Sequence, residues 1–348
     1  MDIAFSDEQQ LLQDTVARMG ADLAVTGPET IATGSRLDAQ WQQVVELGVP
    51  MLRSPGLCGL EASGVETAIV IEQLARILSA APVFGQGVLA AELLEAAGAV
   101  KEQELVAAGS LRAAPVLDTD LGGLAGVDQP GVAFDAAGAT HALLMVQESG
   151  QRRLACAPLH RAADAAALDL TRVFRYMPAD SALSSSIVGF PIDDERWRRV
   201  ESLAMTAAAA DLVGVMQGAL DDAVRYAAER TQFSVKIGSF QAIQHMLADA
   251  LVRVEGARSC LWYAAWAIDH LPVDEARLAA MTAKAYASAA GRDVVETSVQ
   301  VFGGIAITWE HVSHLRLRRT LLNRRLFGDE SVHYEGIAAM RLANRDMV

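Results

Sequence analysis

Two stretches organise this chain: Arg230-Thr-Gln-Phe-Ser-Val-Lys-Ile-Gly-Ser-Phe-Gln-Ala-Ile-Gln244 and Gln300-Val-Phe-Gly-Gly-Ile-Ala-Ile-Thr-Trp-Glu310. Each falls where one long helix-periodic segment hands over to another. A guanidinium can grip a pyrophosphate with two parallel hydrogen bonds. Free N–H groups at a helix start favour anions, and glycines let backbone come close to a ligand. The two stretches therefore suit a phosphate-bearing cofactor. The same residues also have a local reading: an Arg at a helix C-terminus partners the helix dipole, and a Gly-Gly pair makes a plain turn.

Outward from these junctions the C-terminal half reads as helix. Leu203, Leu212, Val215, Met216, Ala219, Leu220 and Ala223 recur at three- and four-residue steps within a segment from about 196 to 231. Further helices are expected over about 240–271, 274–302 and 309–326, with a last piece over 331–344. Four long helices in succession predict an up-down bundle. Near the N-terminus, Ser6 and Gln9 form a capping-box pattern ahead of a helix over about 7–24. Helical segments follow at Trp41–Leu47, 67–78, 87–97 and 101–108, punctuated by Gly27-Pro28, Gly48 and Pro82. Between about 110 and 194 glycines cluster, and apolar runs shorten to strand size at 142–146, 154–159 and 186–190. The expected organisation is mostly α: a helical domain over 1–109, a shortened β domain over 110–195 and a helical bundle over 196–348.

The net charge of −14 argues against nucleic acid and anionic membrane surfaces, which call for basic patches. Cys58, Cys156 and Cys260 are few, odd in number and far apart, as in a reducing cytoplasm rather than a disulfide framework. The first residues lack a secretory pattern, and no unbroken apolar run of about 18 residues predicts a membrane span. His311 and His314 lie one helical turn apart, but further ligands for a metal are missing. The basic cluster Arg316, Arg318, Arg319, Arg324 and Arg325 reads first as a subunit-contact face. Trp262, Tyr263 and Trp266 read as core.

The two opening stretches resemble the C-terminal signatures of the acyl-CoA dehydrogenase family, roughly R-x-x-F-G-x-x-I-x-x-F-Q-x-x-Q and Q-x-x-G-G-x-G-x-T-x-E. The start Phe5-Ser6-Asp7-Glu8-Gln9 is similar to the family's F-S-x-E-Q opening. The likeness is clear from about 196 to 328, extends to 1–108 and is poor between. It implies a helical domain, a small β domain and a four-helix bundle. It also implies FAD, with Arg230, Gln232, Phe233, Gln241, Gln300, Gly303 and Gly304 contacting the ADP half of a flavin held mainly by a neighbouring subunit.

Here the chain departs from the family. The T-E-x-x-x-G-S-D and W-I-T or W-I-S stretches that cover the flavin ring are missing, and Asp118-Thr-Asp-Leu-Gly-Gly123 is a faint echo. Counted without a gap, the family's Y-E-G base position falls on Leu326-Phe327-Gly328, followed by Asp329 as in an L-F-G-D subgroup. Tyr334-Glu335-Gly336 lies eight residues later and would need two extra helical turns. The alternative base position falls on Ala204, and a neighbouring CoA-contacting Arg of the family is Met205 here. Glu201 lies one turn away beside Arg198 and Arg199. The resemblance thus implies a non-catalytic partner in an α2β2 heterotetramer acting on an acyl-CoA, as in steroid side-chain degradation. The other readings are a self-sufficient homo-oligomer using Glu335 or Glu201, and a family-derived scaffold without redox activity.

Overall fold

The structure is a computed structural model that describes residues 5–59, 63–159, 163–165, 168–179 and 185–343. Helices α1 (Asp7–Leu23), α2 (Gly34–Glu46), α3 (Pro55–Cys58), α4 (Gly64–Arg76), α5 (Ala90–Ala96) and α6 (Val100–Ala107) come first. The expected capping box opens α1: Gln9 N–H donates to Ser6 Oγ at 3.2 Å, and Ser6 N–H donates to Gln9 Oε1 at 3.1 Å. Ahead of α5, Val83–Leu89 forms a wholly buried π-helical turn that the sequence pattern did not reveal.

Seven strands follow: β1 (Ala113–Asp118), β2 (Gly131–Ala133), β3 (His141–Glu148), β4 (Gln151–Pro158), β5 (Ala163–Ala165), β6 (Phe174–Met177) and β7 (Ser186–Ile192). They make one sheet in the order β5-β6-β2-β1-β3-β4-β7, antiparallel except for β1 beside β3. Three of the seven, β3, β4 and β7, coincide with the apolar runs seen in the sequence. The others are short or interrupted by glycine and polar residues, so they lack a readable alternation.

The C-terminal half comprises α7 (Asp194–Glu229), a two-residue-strand hairpin of β8 (Thr231–Gln232) and β9 (Val235–Lys236), then α8 (Gln241–His270), α9 (Val273–Phe302), α10 (Ser313–Arg325) and α11 (Glu330–Ala343). Asp193 caps α7, its Oδ1 accepting from Arg196 N–H at 2.8 Å. α7 has 36 residues and is buried along most of its length. No unbroken apolar run of about 18 residues occurs in α7, but it is long and apolar enough by length and composition to cross a membrane. However, 94% of its most apolar window is buried inside the protein, as in a core helix. The fourth bundle helix starts at Ser313 rather than near Trp309, because a 3-10 turn over Gly303–Ile307 comes first.

The basic cluster also differs from expectation. Arg316 and Arg319 are buried within the chain, on Asp222 and Asp211, and so are no subunit face. Arg324 pairs with Glu330 and Arg325 with Asp329. Trp262 and Trp266 pack against the core, whereas Tyr263 is exposed.

One buried network joins the parts. Asp211 of α7 accepts from Arg319 Nε at 2.8 Å and Nη2 at 2.6 Å, and also pairs with Arg172. Arg172 Nη1 reaches Asp135 at 2.7 Å, and Asp135 accepts from Gly85 N–H in the π turn at 2.8 Å. Arg319 also donates to the Ser79 carbonyl at 2.9 Å. The N-terminal helices, the sheet and the bundle are thereby tied at one point. Burial alone would raise the Asp211 carboxyl, but Arg319 and Arg172 outweigh it and hold it below the usual range.

Candidate functional site

The seven residues of the two opening stretches gather at one end of the bundle. Arg230 closes α7, and Gln232 and Phe233 lie in the β8–β9 hairpin. Gln241 opens α8, while Gln300, Gly303 and Gly304 sit where α9 ends. All seven are exposed. Beneath them Ile237 of one stretch and Val301, Phe302 and Ala306 of the other share a small apolar cluster with Ala223 and Ala227. That shared wedge seats both stretches together.

The polar groups are left open. Among the described residues, the guanidinium of Arg230 and the side-chain amides of Gln232, Gln241 and Gln300 have no protein partner; the Arg230 backbone alone is engaged, its N–H donating to Tyr226 O at 2.8 Å. Gly303 adopts φ 66 and ψ −143, a region essentially confined to glycine. Nothing lies within 4 Å of where a Cβ on Gly303 or Gly304 would sit. A guanidinium, free amides and an open glycine backbone fit the diphosphate half of a dinucleotide. The hairpin turn is strained: Phe233 has φ 51 and Ser234 φ 66, both positive without being glycine. Phe233 is held there 88% exposed, against Phe240 at 6.4 Å between ring centroids.

A second site lies in the middle of the molecule. A cavity of about 250 Å³ opens between α7, α9, α11 and the Gly122–Gly123 turn. Phe327 and Ala204, the two positions on which the sequence count expects the family's alternative bases to fall, both line it. Neither side chain can take a proton. Phe327 has φ 57, its N–H donates to the Leu121 carbonyl at 2.8 Å, and its ring packs 6.1 Å from Phe84. Met205 walls the cavity where an Arg would be expected.

Glu201 also lines it, and its carboxylate is tied to Arg277. Glu335 is exposed on α11 and is not part of the wall, although its neighbour Gly336 is. Arg277, Trp197 and Met281 line the cavity without having stood out in the sequence. Their spacing carries no motif, since α7 and α9 bring them together only through packing. No cluster of three His, Cys, Asp or Glu suited to a metal exists among the described residues. His311 meets Phe302 edge-on, and His314 stacks on Trp309.

Residues 202–342 match the family model described as "Acyl-CoA dehydrogenase, C-terminal domain". The chain is 32% identical over 329 residues to the acyl-CoA dehydrogenase IpdE2 of Mycobacterium tuberculosis, covering 90% of this chain and 91% of that protein. Its fold is similar to a variant of the Tcur3481-Tcur3483 steroid ACAD, with a TM-score of 0.81, 21% identity, and coverage of 98% of this chain and 99% of the other. It is also similar to the ChsE4-ChsE5 complex from Mycobacterium tuberculosis, with a TM-score of 0.77, 22% identity, and coverage of 97% and 98%. Sequence identity sustained along nine-tenths of both chains decides the family, and the protein belongs to the acyl-CoA dehydrogenases.

Proposed function

We propose that this chain is the non-catalytic partner in a heteromeric acyl-CoA dehydrogenase, an α2β2 complex whose homologous subunit does the chemistry. One observation carries the reading: Phe327 and Ala204, where the sequence count puts the two base positions, line one cavity, and neither is a carboxylate. Desaturation of an acyl-CoA needs a carboxylate at the α carbon to take its proton. When bound, the flavin supplies the hydride acceptor. What this chain retains is the grip on the ADP half: Arg230 for the pyrophosphate, Gln232, Gln241 and Gln300 for polar contacts, Phe233 beside them, and Gly303-Gly304 for close backbone approach.

Around that grip, Phe240, Ile305, Ile307 and Trp309 are exposed. So many large apolar side chains at one end are the kind of surface another chain covers. The substrate class is an acyl-CoA, and the steroid and complex-forming neighbours favour a bulky acyl group.

The test is the visible flavin spectrum of the purified chain, alone and co-expressed with a full-length homologue. Flavin is expected only in the co-purified complex. Stoichiometric flavin on the chain alone would overturn the reading, and no flavin in either preparation would point to a scaffold.

A self-sufficient enzyme has one observation in its favour: Glu201 is a carboxylate on the cavity wall. Against it, the Glu201 carboxylate is already engaged in an ion pair with Arg277. Turnover by the chain alone, lost in Glu201→Gln, would establish that reading.

A further inference from the structure

Arg230 is not the only cation at this end of the bundle. Lys236 lies on β9, exposed and paired in register with Thr231 of β8. Next to that pair, Ile237 N–H donates to the Arg230 carbonyl at 2.9 Å. The Lys236 Nζ itself donates to the Glu229 carbonyl at 2.6 Å. That oxygen belongs to the peptide unit joining Glu229 to Arg230, so the ammonium stands at the root of the arginine.

The lysine is placed rather than free to swing. Its carbonyl accepts from Ser239 Oγ at 2.7 Å. Gln244 Nε2 donates to the Gly238 carbonyl at 2.9 Å, which ties the return of the hairpin to the first turn of α8. The Glu229 carbonyl is among those a helix leaves unpaired at its C-terminus, where a cation is favoured. Capping α7 in this way uses one N–H of the ammonium. The other two have no protein partner among the described residues.

Charge is handled differently here from elsewhere on the bundle. Arg225 of α7, Arg253 of α8 and Arg292 of α9 each have a carboxylate, Asp222, Asp293 and Glu296 respectively. Neither Arg230 nor Lys236 has an ion pair among the described residues, and Glu229 between them is exposed. The chain has 43 Asp and Glu against 29 Lys and Arg, so carboxylates are not scarce. Two like charges this close repel each other. Leaving them together without a carboxylate suits an anion of more than one charge.

We propose that Lys236 is the second cation of the grip, and that Arg230 and Lys236 hold the diphosphate of the dinucleotide between them. The guanidinium supplies a planar fork of parallel donors, and the ammonium a compact point charge with donors to spare. The inference rests on the reading above that this end of the bundle holds the ADP half of the flavin. Lys236 stands at one of the variable positions of the R-x-x-F-G-x-x-I pattern, so the motif does not reveal it.

The test is flavin rebinding by the co-purified complex after its flavin has been stripped, followed by flavin fluorescence at two salt concentrations. The screening length is roughly 10 Å at about 0.1 M and 3 Å at about 1 M. Lys236→Met is expected to weaken binding roughly tenfold at the lower salt, as for a lost hydrogen bond to a charged group, and much less at the higher. Lys236→Arg is expected to keep most of the affinity and the salt dependence. Unchanged affinity in Lys236→Met, with Arg230→Ala weakened, would overturn the second cation and leave the grip standing. A loss equal at both salt concentrations would show Lys236 to be only a cap of α7, and would overturn it too. Flavin affinity unchanged in both variants would bring down the grip itself, and Lys236 with it.

Discussion

Two arginine-bearing regions of this molecule use the same chemistry in opposite ways. At the three-way junction every side-chain nitrogen of Arg319 donates to a protein acceptor, and the partner Asp211 is enclosed. Nineteen residues further along α7, roughly 28 Å at the helical rise, Arg230 stands exposed with Gln232 and Gln241 open beside it. A buried guanidinium left unpaired would be very costly, so the junction must close on itself. An exposed one costs little to leave free, so the end of the bundle can wait for a ligand. The contrast separates residues that hold the domains together from residues proposed to serve something outside the chain.

The comparison breaks most sharply at Asp211. Asp211→Ala leaves Arg319 and Arg172 without their shared carboxylate, and should cost about 3–5 kcal/mol in chemical denaturation. A loss below about 1 kcal/mol would mean the junction is not what ties the domains. Arg230→Ala should leave stability within about 0.5 kcal/mol, while flavin retention by the co-purified complex falls roughly 10- to 100-fold, the worth of a charged hydrogen-bonded contact. Equal flavin affinity in that variant would remove Arg230 from the grip. Ser234→Gly relieves a positive φ at the hairpin turn and should raise stability by about 0.5–1 kcal/mol, read as a shift in denaturation midpoint. The smallest effect is expected at Glu335→Gln. With its carboxylate exposed on α11, turnover by the complex should be unchanged and stability should move by less than about 0.5 kcal/mol.

The sequence was legible where one period runs long. The segments expected over 240–271 and 274–302 are α8, Gln241–His270, and α9, Val273–Phe302, because unbroken apolar spacing and the Pro272 and Gly303 stops leave little choice. The small sheet was legible only in β3, β4 and β7. Strands of three and four residues such as β2 and β6 are fixed by their neighbours, not by their own pattern. The basic cluster on α10 misled for a related reason. Charge in a sequence announces a surface, but Arg316 and Arg319 find Asp222 and Asp211 from α7 about a hundred residues away. Phe327 and Ala204 could be located by counting from the glycines and from the α7 pattern. That they share one wall with Glu201 and Arg277 needed the packed helices.

One rod, α7, carries Ala204 of the cavity, Asp211 of the junction and Arg230 of the grip. Each residue of a helix turns the next by about 100°. Deleting a single residue between Ala204 and Asp211 would therefore swing every later side chain by more than a quarter turn, facing Asp211 away from Arg319 and Arg230 away from the hairpin. Substitution can empty the cavity wall of its acid and leave the frame intact, whereas a change in length cannot. This helix behaves as a ruler, free to change its markings but not its spacing.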